Sequence, residues 1–446
     1  MGRKAAKKRS SSSAAPPPAG ALRVRSGRTL RITAFTAGVA LVTALGWGLW
    51  RERPAAPSIR VADATDATAA ADPGEAANAD LLLNGCEGDG AALEKCVQDG
   101  LDGVLRTRGQ RAAFAQLARV ASSPRLSGKD HGLAHHLGHS SYAMVGDAPR
   151  AIADCPPTMG SGCLHGVVEA YFLAKGPDAS VVGLCQSTSG GASNTVHQCW
   201  HGVGHGLYMT HGYEWAPAVK QCMAIPEYLD RVNCSSGVFM QNGMDTAAAD
   251  TTMAGHDMSG MHHDMAGMQH DMPGMHHSAP ERPRIRADNL LYPCDEVRGE
   301  EAEIGCWQMQ PFNVLKLTGS YERAFWMCGQ AHAWSLMCEE GIGQAAGAQS
   351  RIDNRSPLSY CGATTDKKAW RNCMVGAVKE VIVHAHSIAP GISVCGGASA
   401  DYALDCYGAV GMMNRGFQPN PEVRLVNCSS VAEPYRRTCA AIPGKL

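Results

Sequence analysis

The segment CWHGVGHGL, residues 199–207, sets His201 and His205 four positions apart just behind Cys199. On a helix that spacing places both rings on one face, close enough to reach one ion. The same pattern occurs twice upstream. CLHGVVEAYF carries His165 and Glu169 at the same distances after Cys163, and HGLAHHLGH carries His135 and His139 30 residues before them. Imidazole and carboxylate are ligand types for zinc, copper or iron. Three units in phase therefore predict a metal site formed by His135, His139, His165, Glu169, His201 and His205. A zinc site takes three or four such ligands, so six are enough for two ions. Glu169 is read either as a ligand or as a catalytic general base.

The alternative is a set of packed histidines hydrogen-bonded between helices. Six residues in phase across three units favour chemistry over packing. His131, His136, His197 and His211 flank the series out of register and are read as supporting or exposed residues. A fourth unit continues the stripe with Ser236 and Met240, Met240 being a further candidate ligand, and later units offer Gln308, Glu340 and Gln344. HExxH, CxxCH, GxSxG, phosphate-loop and dinucleotide-loop motifs are absent from the chain, so the reactions they support have no basis here.

A second metal signal is MAGHDMSGMHHDMAGMQHDMPGMHH, residues 253–277. Its candidate ligands are Met258, Met261, His262, His263, Met265, Met268, His270, Met272, Met275, His276 and His277. Thioether sulfur is soft and selects Cu(I), while imidazole takes copper in either state, so the composition points to copper. Gly, Pro and Asp recur with no aliphatic side chain, which predicts an exposed low-complexity loop rather than a packed helix.

The elements that must position these groups are marked by cysteine. The chain has 18, falling into close pairs with none left over. In order these are Cys86 with Cys96, Cys155 with Cys163, Cys185 with Cys199, Cys222 with Cys234, and Cys294 with Cys306. Cys328 with Cys338, Cys361 with Cys373, Cys395 with Cys406, and Cys428 with Cys439 complete the set. Neighbour pairing is the simplest disulfide map, although order alone leaves the connectivity open. The later first members, at 294, 328, 361, 395 and 428, recur every 33 or 34 residues. A period of this size predicts an all-α solenoid of helical hairpins, with a disulfide tying the end of one helix to the start of the next. A glycine stands three places after the second cysteine at Gly166, Gly202, Gly237, Gly341 and Gly376. Glycine is costly inside a helix, by about 1 kcal/mol, so its recurrence predicts helices in close contact.

The repeats resemble those of Sel1-like and bacterial helical cysteine-rich repeat proteins over about residues 150–446. That resemblance implies an α solenoid and, for function, a recognition surface. The methionine and histidine run is similar to segments of bacterial periplasmic copper-resistance proteins.

The N-terminus, MGRKAAKKRSSSSAAPPPAGALRVRSGRTLR, is basic and precedes an uncharged run from Ile32 to Trp50. That run is just long enough to span a bilayer, and the charge before it predicts a cytoplasmic N-terminus. A cleaved signal peptide is the alternative, but no clear small-residue cleavage site follows, which favours an uncleaved signal anchor. The expected organisation is a basic tail (1–31), a transmembrane anchor (32–50), a flexible linker (51–80), histidine-rich repeats (81–248), the Met/His-rich loop (249–288) and C-terminal cysteine-pair repeats (289–446). Extracytoplasmic placement suits a disulfide-rich chain. A formal net charge of -1 gives no reason to expect a nucleic-acid partner.

The leading expectation is a single-pass membrane protein whose bulk lies outside the cytoplasm, binds metal and handles copper. Two rival expectations are a metal-dependent oxidoreductase or hydrolase using the same histidines with Glu169 as base, and a repeat scaffold for an envelope protein.

Overall fold

Most units pair a short helix, ending at or near the first cysteine, with a long helix that holds the second. The computed structural model describes residues 82–180, 182–187, 193–244 and 285–442, and these contain no strand. The expected anchor (32–50), the linker (51–80) and the methionine and histidine run (253–277) lie outside the described residues. No described helix is long and apolar enough to cross a membrane.

After helical residues 82–84 the described chain runs through α1 (Gly90–Arg108) and α2 (Gln110–Val120). The first long helix of the row is α3 (Asp130–Val145). It stops at Gly146, whose left-handed φ of 70° lets its N–H close on the Tyr142 carbonyl. Asp147 then caps α4 (Ala148–Ala153) by accepting from the Arg150 N–H. The alternation continues with α5 (Gly162–Lys175), α6 (Val182–Ser187), α7 (Ser193–Thr210), α8 (Trp215–Cys222) and α9 (Tyr228–Met244). After the undescribed insertion come α10 (Glu300–Thr318), α11 (Tyr321–Cys328), α12 (Ser335–Asp353), α13 (Pro357–Cys361) and α14 (Lys367–Ala385). The series ends with α15 (Ala389–Gly396), α16 (Ala400–Phe417), α17 (Pro421–Asn427) and α18 (Tyr435–Cys439).

The neighbouring cysteines are joined as the simplest map expects, and the connectivity that order left open is settled. Cys86 bonds Cys96, Cys155 bonds Cys163, Cys185 bonds Cys199, and Cys222 bonds Cys234. Beyond the insertion, Cys294 bonds Cys306, Cys328 bonds Cys338, and Cys361 bonds Cys373. Cys395 bonds Cys406 and Cys428 bonds Cys439. Across the nine bridges the Cα separations run from 5.4 to 6.0 Å. Each closes a short loop, which stabilises the hairpin by about 2–4 kcal/mol through the unfolded state. The first pair follows the pattern, with helical residues 82–84 just before Cys86 and Cys96 within α1, whereas Cys294 is preceded by turns with no described helix ending on it. The long helices stack side by side in chain order: α3, α5, α7, α9, α10, α12, α14, α16.

Glycine sets the separation within this row. A Cβ on Gly166 would lie 2.1 Å from the His135 carbonyl oxygen, and one on Gly237 would lie 2.0 Å from that of His201. Gly341 and Gly376, three places after Cys338 and Cys373, repeat the contact against Gln308 and Glu340, while Gly202 sits against His165. The last long helix departs from the pattern, because the position three after Cys406 is Ala409. Backbones this close leave side chains at equivalent positions no room to miss one another. Helix α5 is the extreme case, buried on every face from Gly162 to Ala170. A helix apolar all round belongs in a core, so the polar His165 and Glu169 on it must find partners.

The row also curls. Helix α14, six long helices on from α3, packs on the Met159–Ser161 turn that leads into α5, and α16 touches α7. His384 of α14 donates Nε2–H to Asp130 Oδ2 at 2.7 Å, and Ser127 donates to the Arg351 carbonyl at 2.8 Å.

Candidate metal centre

Five imidazoles from three adjacent long helices meet in the interior: His131 and His135 from α3, His165 from α5, His201 and His205 from α7. Their rings form a continuous cluster. Centroids lie 4.6 Å apart for His131 and His135, 5.3 Å for His135 and His165, 5.2 Å for His165 and His201, and 4.8 Å for His201 and His205. His165 is the hub, also touching His131 and His205 at 5.7 and 5.6 Å. The ligand nitrogens of His131, His135 and His165 all lie within 4.8 Å of one another, a spacing that one ion can span.

Hydrogen bonds behind the rings fix where their protons sit. His131 Nδ1 is 2.7 Å from the Met159 carbonyl, which can only accept, so the ring hydrogen is on Nδ1. That carbonyl is aimed by a run of left-handed backbone, Met159, Gly160 and Ser161, with φ of 57°, 61° and 62°. Two of these residues are not glycine, a strain of about 1–2 kcal/mol each. Such strain tends to collect at functional sites. His135 Nδ1 lies 3.1 Å from Glu169 Oε1 and 3.2 Å from Oε2, so it too carries the hydrogen. His205 Nδ1 donates to Gln241 Oε1 at 2.7 Å and faces Glu169 Oε1 at 3.3 Å.

In the neutral rings, therefore, the Nε2 atoms of His131 and His135 both present lone pairs, and they face each other across 3.1 Å. That contact is repulsive unless a cation lies between the two atoms. Around a tetrahedral ion with bonds of about 2.0–2.1 Å, ligand nitrogens stand about 3.3 Å apart, close to the observed spacing. Neither ring nitrogen of His165 has a hydrogen-bond partner, and the residue is only 2% exposed. His205 Nε2 is likewise unpartnered, on a residue that is 0% exposed. Burying an unsatisfied polar atom costs about 1–3 kcal/mol, so three in one cluster need a reason.

Burial, reinforced by the neighbouring His135, pushes the His131 ring down to about 3. Burial also takes His205 down to about 4, against the opposing pull of Glu169. His165 and His201 are held well below the ordinary imidazole range by burial and by the adjacent imidazoles. These four rings are thus neutral at physiological pH, the form that binds metal. Burial by itself would raise the Glu169 carboxyl, but the facing histidines outweigh it and hold the group well below the usual carboxylate range.

The expected ligands divide into three groups. His135, His165, His201 and His205 come together as expected, and Met240 joins them with its sulfur 3.2 Å from His201 Nε2. Glu169, expected as ligand or general base, has both oxygens engaged by rings, with His139 Nε2 donating to Oε2 at 2.7 Å. This places Glu169 and His139 behind the cluster, where a carboxylate orients ligand rings. The methionines and histidines of residues 258–277 lie outside the described residues.

His131, set aside on its register, belongs to the cluster. The available signal was its four-residue spacing from His135 on one helix. His136 and His197 instead face Asp102 and Asp230, and His211 faces Gln221. No family model matches the chain, and neither the curated proteins nor the solved structures include one with significant similarity to it.

Proposed function

We propose that the protein is a membrane-anchored extracytoplasmic metal-binding protein that handles copper, with its resident site at His131, His135 and His165. One observation carries the reading: two imidazole lone pairs set 3.1 Å apart in the interior beside a third imidazole that has no hydrogen-bond partner. A shared proton could relieve that contact only by putting a positive imidazolium where burial already drives His131 down to about 3. A metal ion relieves it and satisfies His165 as well. Glu169 and the Met159 carbonyl serve as the groups that fix tautomer and ring orientation. The Met/His-rich run 253–277 supports copper as the ion gathered from outside, since it combines soft sulfur with imidazole. The basic N-terminus followed by Ile32 to Trp50 supports the anchor.

The test is metal content by mass spectrometry on full-length detergent-solubilised protein in which every Met and His of 253–277 is replaced by Ser. Metal in whole-number stoichiometry that disappears in a His165→Ala variant with unchanged helicity is the expected result. A protein that stays free of metal after loading with copper and zinc would leave the imidazoles as packing.

A further inference from the structure

The imidazole cluster has a second pole with different donor chemistry. His201 Nε2 stands 3.2 Å from Met240 Sδ, contributed by α9. The same ring places Nδ1 2.9 Å from Ser236 Oγ, which itself lies 2.9 Å from the Asn233 carbonyl. A hydroxyl oxygen is a better acceptor than a thioether, and the serine hydrogen has the Asn233 carbonyl to go to. The hydrogen of His201 therefore sits on Nδ1, and its bare Nε2 faces the sulfur lone pairs. A second observation points the same way. His205, one turn along α7 with its ring 4.8 Å from His201, is fully buried, and its Nε2 has no partner. Its Nδ1–H is held by Gln241, the residue next to Met240.

We propose that His201, His205 and Met240 form a separate site for Cu(I), distinct from the all-imidazole site of His131, His135 and His165. The proposal rests on the metal-binding reading above and adds to it which ion goes where. Thioether sulfur selects soft Cu(I) over Zn(II), whereas three imidazoles accept borderline divalent ions. Charge supports the same division. Two neutral imidazoles and a thioether leave the charge of the ion uncompensated by its own ligands, and a monovalent ion costs less than a divalent one in a site withdrawn from water. The described residues contain no free cysteine, so thiolate does not compete for copper there.

The experiment compares the full-length protein carrying Ser for the Met and His of 253–277 with the same protein bearing Met240→Leu or His201→Gln. Each is titrated anaerobically with Cu(I) against a chromophoric Cu(I) chelator, and separately with Zn(II). X-ray absorption of the copper-loaded protein reports sulfur in the copper shell. Leucine keeps the volume of methionine, so the fold should tolerate it.

The parent is expected to show copper–sulfur scattering. Met240→Leu should abolish that scattering and weaken Cu(I) at least tenfold, with Zn(II) affinity changed less than twofold, and His201→Gln should weaken Cu(I) at least as much. Cu(I) affinity unchanged in both variants, alongside Zn(II) binding that needs His165, would overturn the second site and leave the first standing. A parent that binds neither ion would overturn both.

Discussion

Glu169 accepts from two imidazoles, His135 and His139, and also faces His205 Nδ1, at 2.7 to 3.3 Å. Replacing it by Gln keeps the size but removes the charge, and it offers an amide N–H where a ring N–H must be received. Glu169→Gln is therefore expected to lower metal affinity about 10–100-fold, read by chelator competition. Retained affinity would make the carboxylate a packing group. The buried rings also predict a pH dependence for the metal-free protein. His131 and His205 titrate near 3 and 4 in the fold and near 6.5 when unfolded, so between these values the unfolded chain binds more protons. Stability then rises with pH across that window and is lost on acidification below about 6.5, by up to about 1.4 kcal/mol per pH unit for each ring. The urea midpoint of metal-free protein should fall between pH 7 and pH 5, and an unchanged midpoint would count against buried neutral rings. Four of the five clustered rings were legible from repeat register alone. His131 was not, because its role depends on the Met159 carbonyl, and nothing in PPTMGSGC announces a left-handed turn at Met159.

At the scale of the helix, the recurring glycine was read correctly as a contact residue, and its geometry makes the reading quantitative. Gly237→Ala puts a methyl 2.0 Å from the His201 carbonyl oxygen, where backbone must move, and is expected to destabilise by about 1–3 kcal/mol. Gly103 in α1 has nothing within 4 Å of its would-be Cβ, so Gly103→Ala should instead stabilise by up to about 1 kcal/mol through helix propensity. Chemical denaturation of the two variants separates contact from propensity, and equal effects would undo the argument. The cysteine pairs were legible because each disulfide closes a loop local in sequence. The end of the histidine stripe, by contrast, lies in residue identity rather than in helix placement. In α10 the position three after Cys306 is Met309, and the close approach passes to Gly305 against the Ser236 backbone N at 2.7 Å. Gly243 nonetheless meets Asn313 as Gly347 meets Glu380, so the register is kept, and α10 does not extend the row of rings because Gln308 and Phe312 stand two and six places after Cys306.

At the scale of the molecule, a period of 33 to 34 residues predicts a row in which each unit meets only its neighbours. The described chain does more, because α14 returns to α3. Repeat spacing carries no trace of that contact, since His384 and Asp130 are 254 positions apart and belong to no shared motif. Burial would raise the Asp130 carboxyl, but the His384 hydrogen bond and charge outweigh it and bring the group down to about 2. The pairing is thus favourable and charge-assisted, and it adjoins His131. A double-mutant cycle on full-length protein tests whether the curl persists in solution, using Asp130→Asn, His384→Gln and the pair together. Contacting residues couple by about 0.5–3 kcal/mol, whereas distant ones add independently. A coupling near 1 kcal/mol in urea unfolding is the expected outcome. Additive effects would mean an open row in solution, with the cluster braced only by the packing of α3 on the disulfide-tied helices α5, α7 and α9. A closed turn makes the first and seventh long helices mutually dependent, so the C-terminal repeats, poor in ligands of their own, act on the centre by holding α3 in place.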